Sequence, residues 1–97
     1  MALKIVWTRQ AEIGLDKVIE FLEDEWTVLE ILNLEHNLLN LLNRIRKYPK
    51  IYPATGNYKN IRKGLVDKNN YIIYRINSRK KIIEIINFRG TRQEPLP

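Results

Sequence analysis

The chain opens on a short apolar run, LKIVW over residues 3–7, which reads as a strand. Thr8 follows and supplies an oxygen able to cap a helix. Beyond it, Ala11, Leu15, Val18, Ile19, Leu22 and Trp26 recur at helical spacing, with Glu12, Asp16, Glu20 and Glu23 on other faces. The pattern predicts an amphipathic helix over 9–25. Gly14 inside it is either a weak point or a place of close packing. Thr27-Val28-Leu29-Glu30 has the form of a capping box, in which hydroxyl and carboxylate reciprocally satisfy free N–H groups. A second helix therefore starts almost at once, with Ile31, Leu34, Leu38, Leu41, Leu42 and Ile45 as its apolar stripe. Pro49 forbids continuation much past Tyr48. So short a connection folds the two helices back on each other as a hairpin.

Residues 48–60 hold two prolines, a glycine and three tyrosines and read as a loop. After them the period changes to two. NIRKGLV, YIIYRIN and KIIEIINF, separated by DKNN and SRK, predict three strands in a meander. The order β-α-α-β-β-β in one domain of 97 residues implies an α+β fold. The helical hairpin packs on one face of a mainly antiparallel four-stranded sheet. The first strand either lies at an edge or pairs with a later strand.

Alternation in the third strand sends Ile72, Tyr74 and Ile76 to one side and Tyr71, Ile73, Arg75 and Asn77 to the other. The first set suits a core beneath the helices. The fourth strand is apolar on both sides, Ile83 and Ile85 against Ile82, Ile86 and Phe88. A sheet with helices on one side only should not look like that, so a tail or a partner is expected on the second face.

Composition narrows the function classes. The absence of cysteine excludes disulfides, thiolate chemistry and Cys-based zinc sites, and it fits a reducing cytoplasm. The start MALKIVW lacks the pattern of a secretory signal, and no apolar run approaches membrane-spanning length. The net charge of +6 is unevenly spread: residues 1–46 sum to −3 and residues 47–97 to +9. A basic C-terminal half points to an anionic partner, either nucleic acid or an acidic protein segment.

The candidate chemistry is sparse. His36 is the only histidine and sits with Asn33, Asn40 and Asn43 away from the leucine stripe, where a surface role is the simple reading. Glu20, Glu23, Asp24 and Glu25 crowd the end of the first helix and need water there. No glycine-rich phosphate loop, serine-nucleophile motif or metal-ligand set is present. What remains is a basic and tyrosine set: Arg62, Lys63, Tyr71, Tyr74, Arg75, Arg89 and Arg92. Arginines neutralise phosphate bidentately, and tyrosine stacks on a base or exchanges a proton. Together they suit either binding of an anionic macromolecule or metal-free RNA cleavage, in which arginines hold the phosphorane charge. The alternative is that Tyr74 belongs to the core and the arginines pair with Glu84, Glu94 or a partner.

WTRQAEIGLDKVIEFL, a leucine-rich second helix ending in YP, then IRKGLV, YIIYRI and IIEIINFRGTRQEP, in that order, resemble the RelE/ParE toxins of bacterial toxin–antitoxin systems. The likeness spans essentially the whole chain. It implies the same β-α-α-β-β-β fold and a cognate antitoxin whose amphipathic, acidic segment wraps the toxin. It implies no cofactor, metal or membrane. RelE-like members cut messenger RNA on the ribosome, whereas ParE-like members inhibit DNA gyrase. The nuclease branch carries an arginine where Tyr71 stands, a lysine where Gly64 stands, and in other members a late histidine or tyrosine missing here. ParE members usually share that third-strand arginine, so Tyr71 departs from both branches. The Tyr74-Arg75 pair and the Arg89/Arg92 ending sit nearer the ParE side. The resemblance thus implies a gyrase-type inhibitor using Arg62, Arg75, Arg89 and Arg92 as contacts. If the chain is instead a nuclease, it makes Arg62, Lys63, Tyr71, Arg75 and Arg89 the catalytic set. A degenerate toxin that only binds its antitoxin is the third possibility.

Overall fold

The computed structural model describes residues 3–25, 28–56 and 60–90. The elements run β1 (Lys4–Trp7), α1 (Arg9–Glu25), α2 (Val28–Lys47), β2 (Ile61–Asp67), β3 (Asn70–Asn77) and β4 (Ile82–Gly90). The four strands form one sheet in the order β1-β4-β3-β2. β3 pairs antiparallel with both β2 and β4, while β1 runs parallel to β4 from Lys4↔Ile82 to Trp7↔Ile85. The first strand is thus both an edge strand and the partner of the last.

Thr8 joins β1 to α1 in the way its side chain allows. Its backbone N–H donates to the Ile85 carbonyl at 3.1 Å. Its hydroxyl lies 2.9 Å from that carbonyl and 3.1 Å from the Ile86 carbonyl, and accepts the Ala11 N–H at 3.2 Å. One residue therefore caps the helix and fixes it to β4; loss of such a cap costs roughly 0.5–2 kcal/mol. Ala11, Val18 and Leu22 turn inward. Gly14 is a site of close packing, because a Cβ there would overlap the Phe88 carbonyl of β4. The helix tolerates a poor helix former where no side chain fits.

In α2 the buried positions are Leu34, Leu38, Leu41 and Ile45, four of the six stripe residues, with Ile31 and Leu42 packed at the flank. The helix ends at Lys47, two residues before Pro49. Trp26 and Thr27, and with Thr27 the capping box, lie outside the described residues. No described helix is long and apolar enough to cross a membrane.

The core lies between this hairpin and the inner face of the sheet, where Ile72, Tyr74, Ile76, Ile83, Ile85 and Phe88 are all buried. Phe88 corrects the sequence reading, which placed it on the outer face with Ile82 and Ile86. Ile73 pairs with Asn87 but Tyr74 pairs with Ile85, so Ile86 is an extra residue in β4. A bulge of this kind moves the alternation by one, and Phe88 and Gly90 turn inward beyond it. The outer face of β4 is accordingly less apolar than strict alternation implies, holding half-buried Ile82 and Ile86.

Candidate functional surface

The β2–β3 turn is built by Asp67. Its Oδ1 accepts the Asn69 N–H at 2.7 Å, and its two oxygens lie 3.0 and 3.1 Å from Asn70 Nδ2. The pairing shifts by one between Leu65 and Asp67, which sets the register Leu65↔Tyr71. Tyr71 in turn stands opposite Arg89 of β4. Lys63, Leu65, Tyr71, Ile73, Arg75 and Arg89 therefore share the outer face, the one turned away from the helices.

At one end of that face Lys63 Nζ sits over the Tyr71 ring, 4.2 Å from its centroid. Such a contact at an exposed site is worth about 0.5–1 kcal/mol. With Arg89 across the strand from the same tyrosine, the three side chains form one cluster of two cations around an aromatic ring. Leu65 beside it is 55 % exposed and Val6 on β1 is 37 % exposed. The face carries the cations Lys63, Arg75 and Arg89 with apolar side chains between them, and Glu84 and Asn87 of β4 lie on it as well.

Arg75 stands apart, toward the other end of the face. Its Nε donates to Glu84 Oε1 at 3.0 Å, across the β3–β4 pairing. The sequence had offered Glu84 as one partner for the arginines, and Arg75 takes it. The pair is solvent-accessible, so it contributes little to stability.

Arg62 is not on this face. It pairs in register with Tyr74 and turns toward the helices, where its guanidinium donates to the Tyr52 carbonyl at 2.6 Å. Its Nε is buried with no hydrogen-bond partner among the described residues. Arg44 donates to the Tyr52 hydroxyl at 2.8 Å, so one tyrosine ties both arginines to the loop that follows α2. Tyr74 completes this inner network. It is fully buried, and its hydroxyl donates to the Pro49 carbonyl at 2.7 Å. Burial pushes its pKa up to about 12, against the lowering pull of Arg62. A phenol held protonated in this way is a core residue and no base at neutral pH. Gly64 also faces inward, against Leu41 and Tyr52.

Of the residues singled out in the sequence, the fold thus assembles Lys63, Tyr71 and Arg89, sets Arg75 aside in an ion pair, and commits Arg62 to the loop. Arg92 and Glu94 lie outside the described residues. His36 is exposed on α2, with Nε2 3.3 Å from Asn40 Nδ2, away from the sheet. Among the described residues no group of three acids or histidines is placed to hold a metal ion. The Lys63–Tyr71 contact had no sequence signal, because it depends on a register that the bulge near Asp67 sets.

Comparison with known proteins adds the family. The family model described as ParE toxin of type II toxin–antitoxin system, parDE, matches residues 5–95. No curated protein sequence matches. Among solved structures, the chromosomal ParDE system from P. aeruginosa shares the fold at TM-score 0.72 and 13 % identity, covering 92 % of this chain and 96 % of that one. A free-state mutant of E. coli toxin RelE superposes at TM-score 0.64 and 14 % identity, over 96 % and 86 % of the two chains. The E. coli DinJ–YafQ toxin–antitoxin complex does so at 0.61 and 16 %, over 95 % and 96 %. At these identities the solved structures speak to the fold, while the family model covers nearly the whole chain. The chain belongs to the ParE toxin family of type II toxin–antitoxin systems, within the RelE/ParE superfamily.

Proposed function

We propose that this toxin acts without hydrolytic chemistry, by binding a nucleic-acid-associated target of the DNA gyrase kind through the outer face of its sheet. A cognate antitoxin silences it by covering the same face with an acidic, amphipathic segment. The observation that carries the reading is the Lys63–Tyr71 contact with Arg89 opposite Tyr71, on the face of the sheet turned away from the helices. Two cations and a ring, bordered by exposed Leu65, fit a surface that has both charge and apolar area to bury. The match to the ParE model supports the gyrase side, and the DinJ–YafQ complex is an instance of a similar fold bound to an antitoxin. Arg92 completes the proposed contact set from its place just beyond Gly90 in sequence.

A second reading keeps its footing on the same cluster. Lys63 and Tyr71 are both able to exchange protons, and Arg89 beside them suits a developing phosphorane charge. That arrangement fits a metal-free endoribonuclease acting on messenger RNA. Induced expression separates the two. Trapped gyrase–DNA complexes and altered plasmid supercoiling, with message intact by primer extension, are the expected result. Cleavage at fixed codon positions with normal supercoiling overturns the first reading in favour of the second. Unimpeded growth without antitoxin overturns both and leaves a chain that only binds its antitoxin.

A further inference from the structure

Charge is segregated along the molecule in a way the outer face does not explain. The end of α2, the start of β1 and the β3–β4 turn converge. The Leu3 N–H donates to the Arg46 carbonyl and Arg46 Nε donates to the Leu3 carbonyl, both at 3.3 Å. The Lys4 N–H donates to the Lys81 carbonyl at 3.2 Å. These contacts gather Lys4, Arg46, Lys47, Arg79, Lys80 and Lys81 at one end of the fold, all of them exposed. None is ion-paired with a described carboxylate. Acids concentrate at the opposite end: Glu23 and Asp24 close α1, and Glu30 and Asp67 line one small cleft between the helices and the β2–β3 turn.

The helix dipole accounts for part of this. Cations in the last turn of α2 complement its C-terminal carbonyls. It does not account for Lys4 on a strand, nor for three consecutive cations in a hairpin turn. Lys81 also adopts φ 57°, a left-handed conformation that glycine or asparagine takes at lower cost. Crowding like charges on a small surface is unfavourable unless a polyanion relieves it.

We propose that this cationic end is a docking surface for the phosphodiester backbone of duplex DNA, separate from the Lys63–Tyr71–Arg89 cluster. The chemistry favours a duplex over a single strand. Single strands are held by aromatic platforms between the cations, whereas a duplex hides its base faces and presents a dense array of phosphates. Among the described residues, exposed Tyr48 is the aromatic that follows Lys47 at this surface, and the Lys63–Tyr71 contact lies elsewhere. The inference goes beyond the proposed function, and its test does not depend on toxicity.

The test is direct binding of the purified full chain to a fluorescent 20-base-pair duplex, followed by anisotropy over a range of salt. The expected result is sequence-independent binding whose log K falls with log salt at a slope of about −0.9 per phosphate contacted. Lys4→Ala/Lys80→Ala/Lys81→Gly should lower that slope by between about two and three units and the low-salt affinity by tenfold or more. The charge-matched control Arg9→Ala/Lys17→Ala/Lys68→Ala should retain most of the parent's affinity. Equal losses in the two variants overturn the proposal, because net charge alone would then suffice. A single strand bound as tightly as the duplex, or an acidic peptide competing as well as DNA, also overturns it. Lys81→Gly relieves the turn, so the variant is expected to fold; should thermal melts show otherwise, Arg79→Gln/Lys80→Gln carries the same test.

Discussion

The same three strands present two faces that differ in almost every respect. Toward the helices, Ile72, Tyr74, Ile76, Ile83, Ile85 and Phe88 are sealed, and even the phenol of Tyr74 has its acceptor within the chain. Away from the helices, Lys63, Leu65, Tyr71 and Arg89 stand at positions of the same strands with the hairpin on the far side. The inner face closes on itself because two helices supply the apolar surface it needs. The outer face has exposed apolar side chains in Leu65 and Val6 and a set of cations, of which Arg75 pairs with Glu84. One face specifies the fold, and the other is the surface we propose a partner covers. Arg62 belongs to the first in spite of its charge, because a change of one position along a strand moves a side chain to the other face.

Substitutions should therefore divide by face. The largest effect is expected from Phe88→Ala, which removes a fully buried ring and should cost about 3–5 kcal/mol in chemical denaturation. A cost near zero would mean that the bulge at Ile86 does not hold Phe88 inside. Tyr74 gives a second, pH-dependent effect. Its folded pKa of about 12 lies above the unfolded value near 10, so above pH 10 the unfolded chain releases the proton more readily than the native one. Stability should fall between pH 10 and 12, by about 1.4 kcal/mol per pH unit at most. Tyr74→Phe should lose about 1 kcal/mol at neutral pH, through the unpaired Pro49 carbonyl, and remove that part of the alkaline slope. An unchanged alkaline profile in the variant would contradict the buried phenol. Smaller still, Arg75→Ala on the outer face should shift stability by about 0.2–1 kcal/mol, since its partner is solvent-accessible. A larger loss would make that pair part of the structural framework.

How far this division was legible in the sequence depended on period and on register. The helices and the strand order along the chain follow from spacing, since Leu34, Leu38, Leu41 and Ile45 carry their burial in a 3.6-residue repeat. Ile72, Tyr74 and Ile76 carry theirs in a two-residue repeat. Thr8 as a cap was readable because hydroxyl chemistry at a strand–helix junction is local. Phe88 was misplaced because a bulge inserts one residue without a composition signal; β-branched Ile86 looks like any strand residue. The candidate cluster was half legible. Residue type pointed to Lys63, Tyr71 and Arg89, but their assembly depends on cross-strand register. Arg62 looked equivalent to Lys63, though alternation separates them. The pairing of β1 with β4 is a tertiary choice, made by where the helical hairpin returns the chain.

The most direct test of the two-face account is growth arrest on induced expression of Lys63→Ala/Tyr71→Ala/Arg89→Ala beside the parent, with unfolding midpoints measured for both purified chains. The account predicts that the parent arrests growth, while the triple variant grows like an empty-vector control and unfolds at nearly the parent's midpoint. A folded triple variant that arrests growth as strongly as the parent would contradict it, because the toxic surface would then lie elsewhere on the molecule.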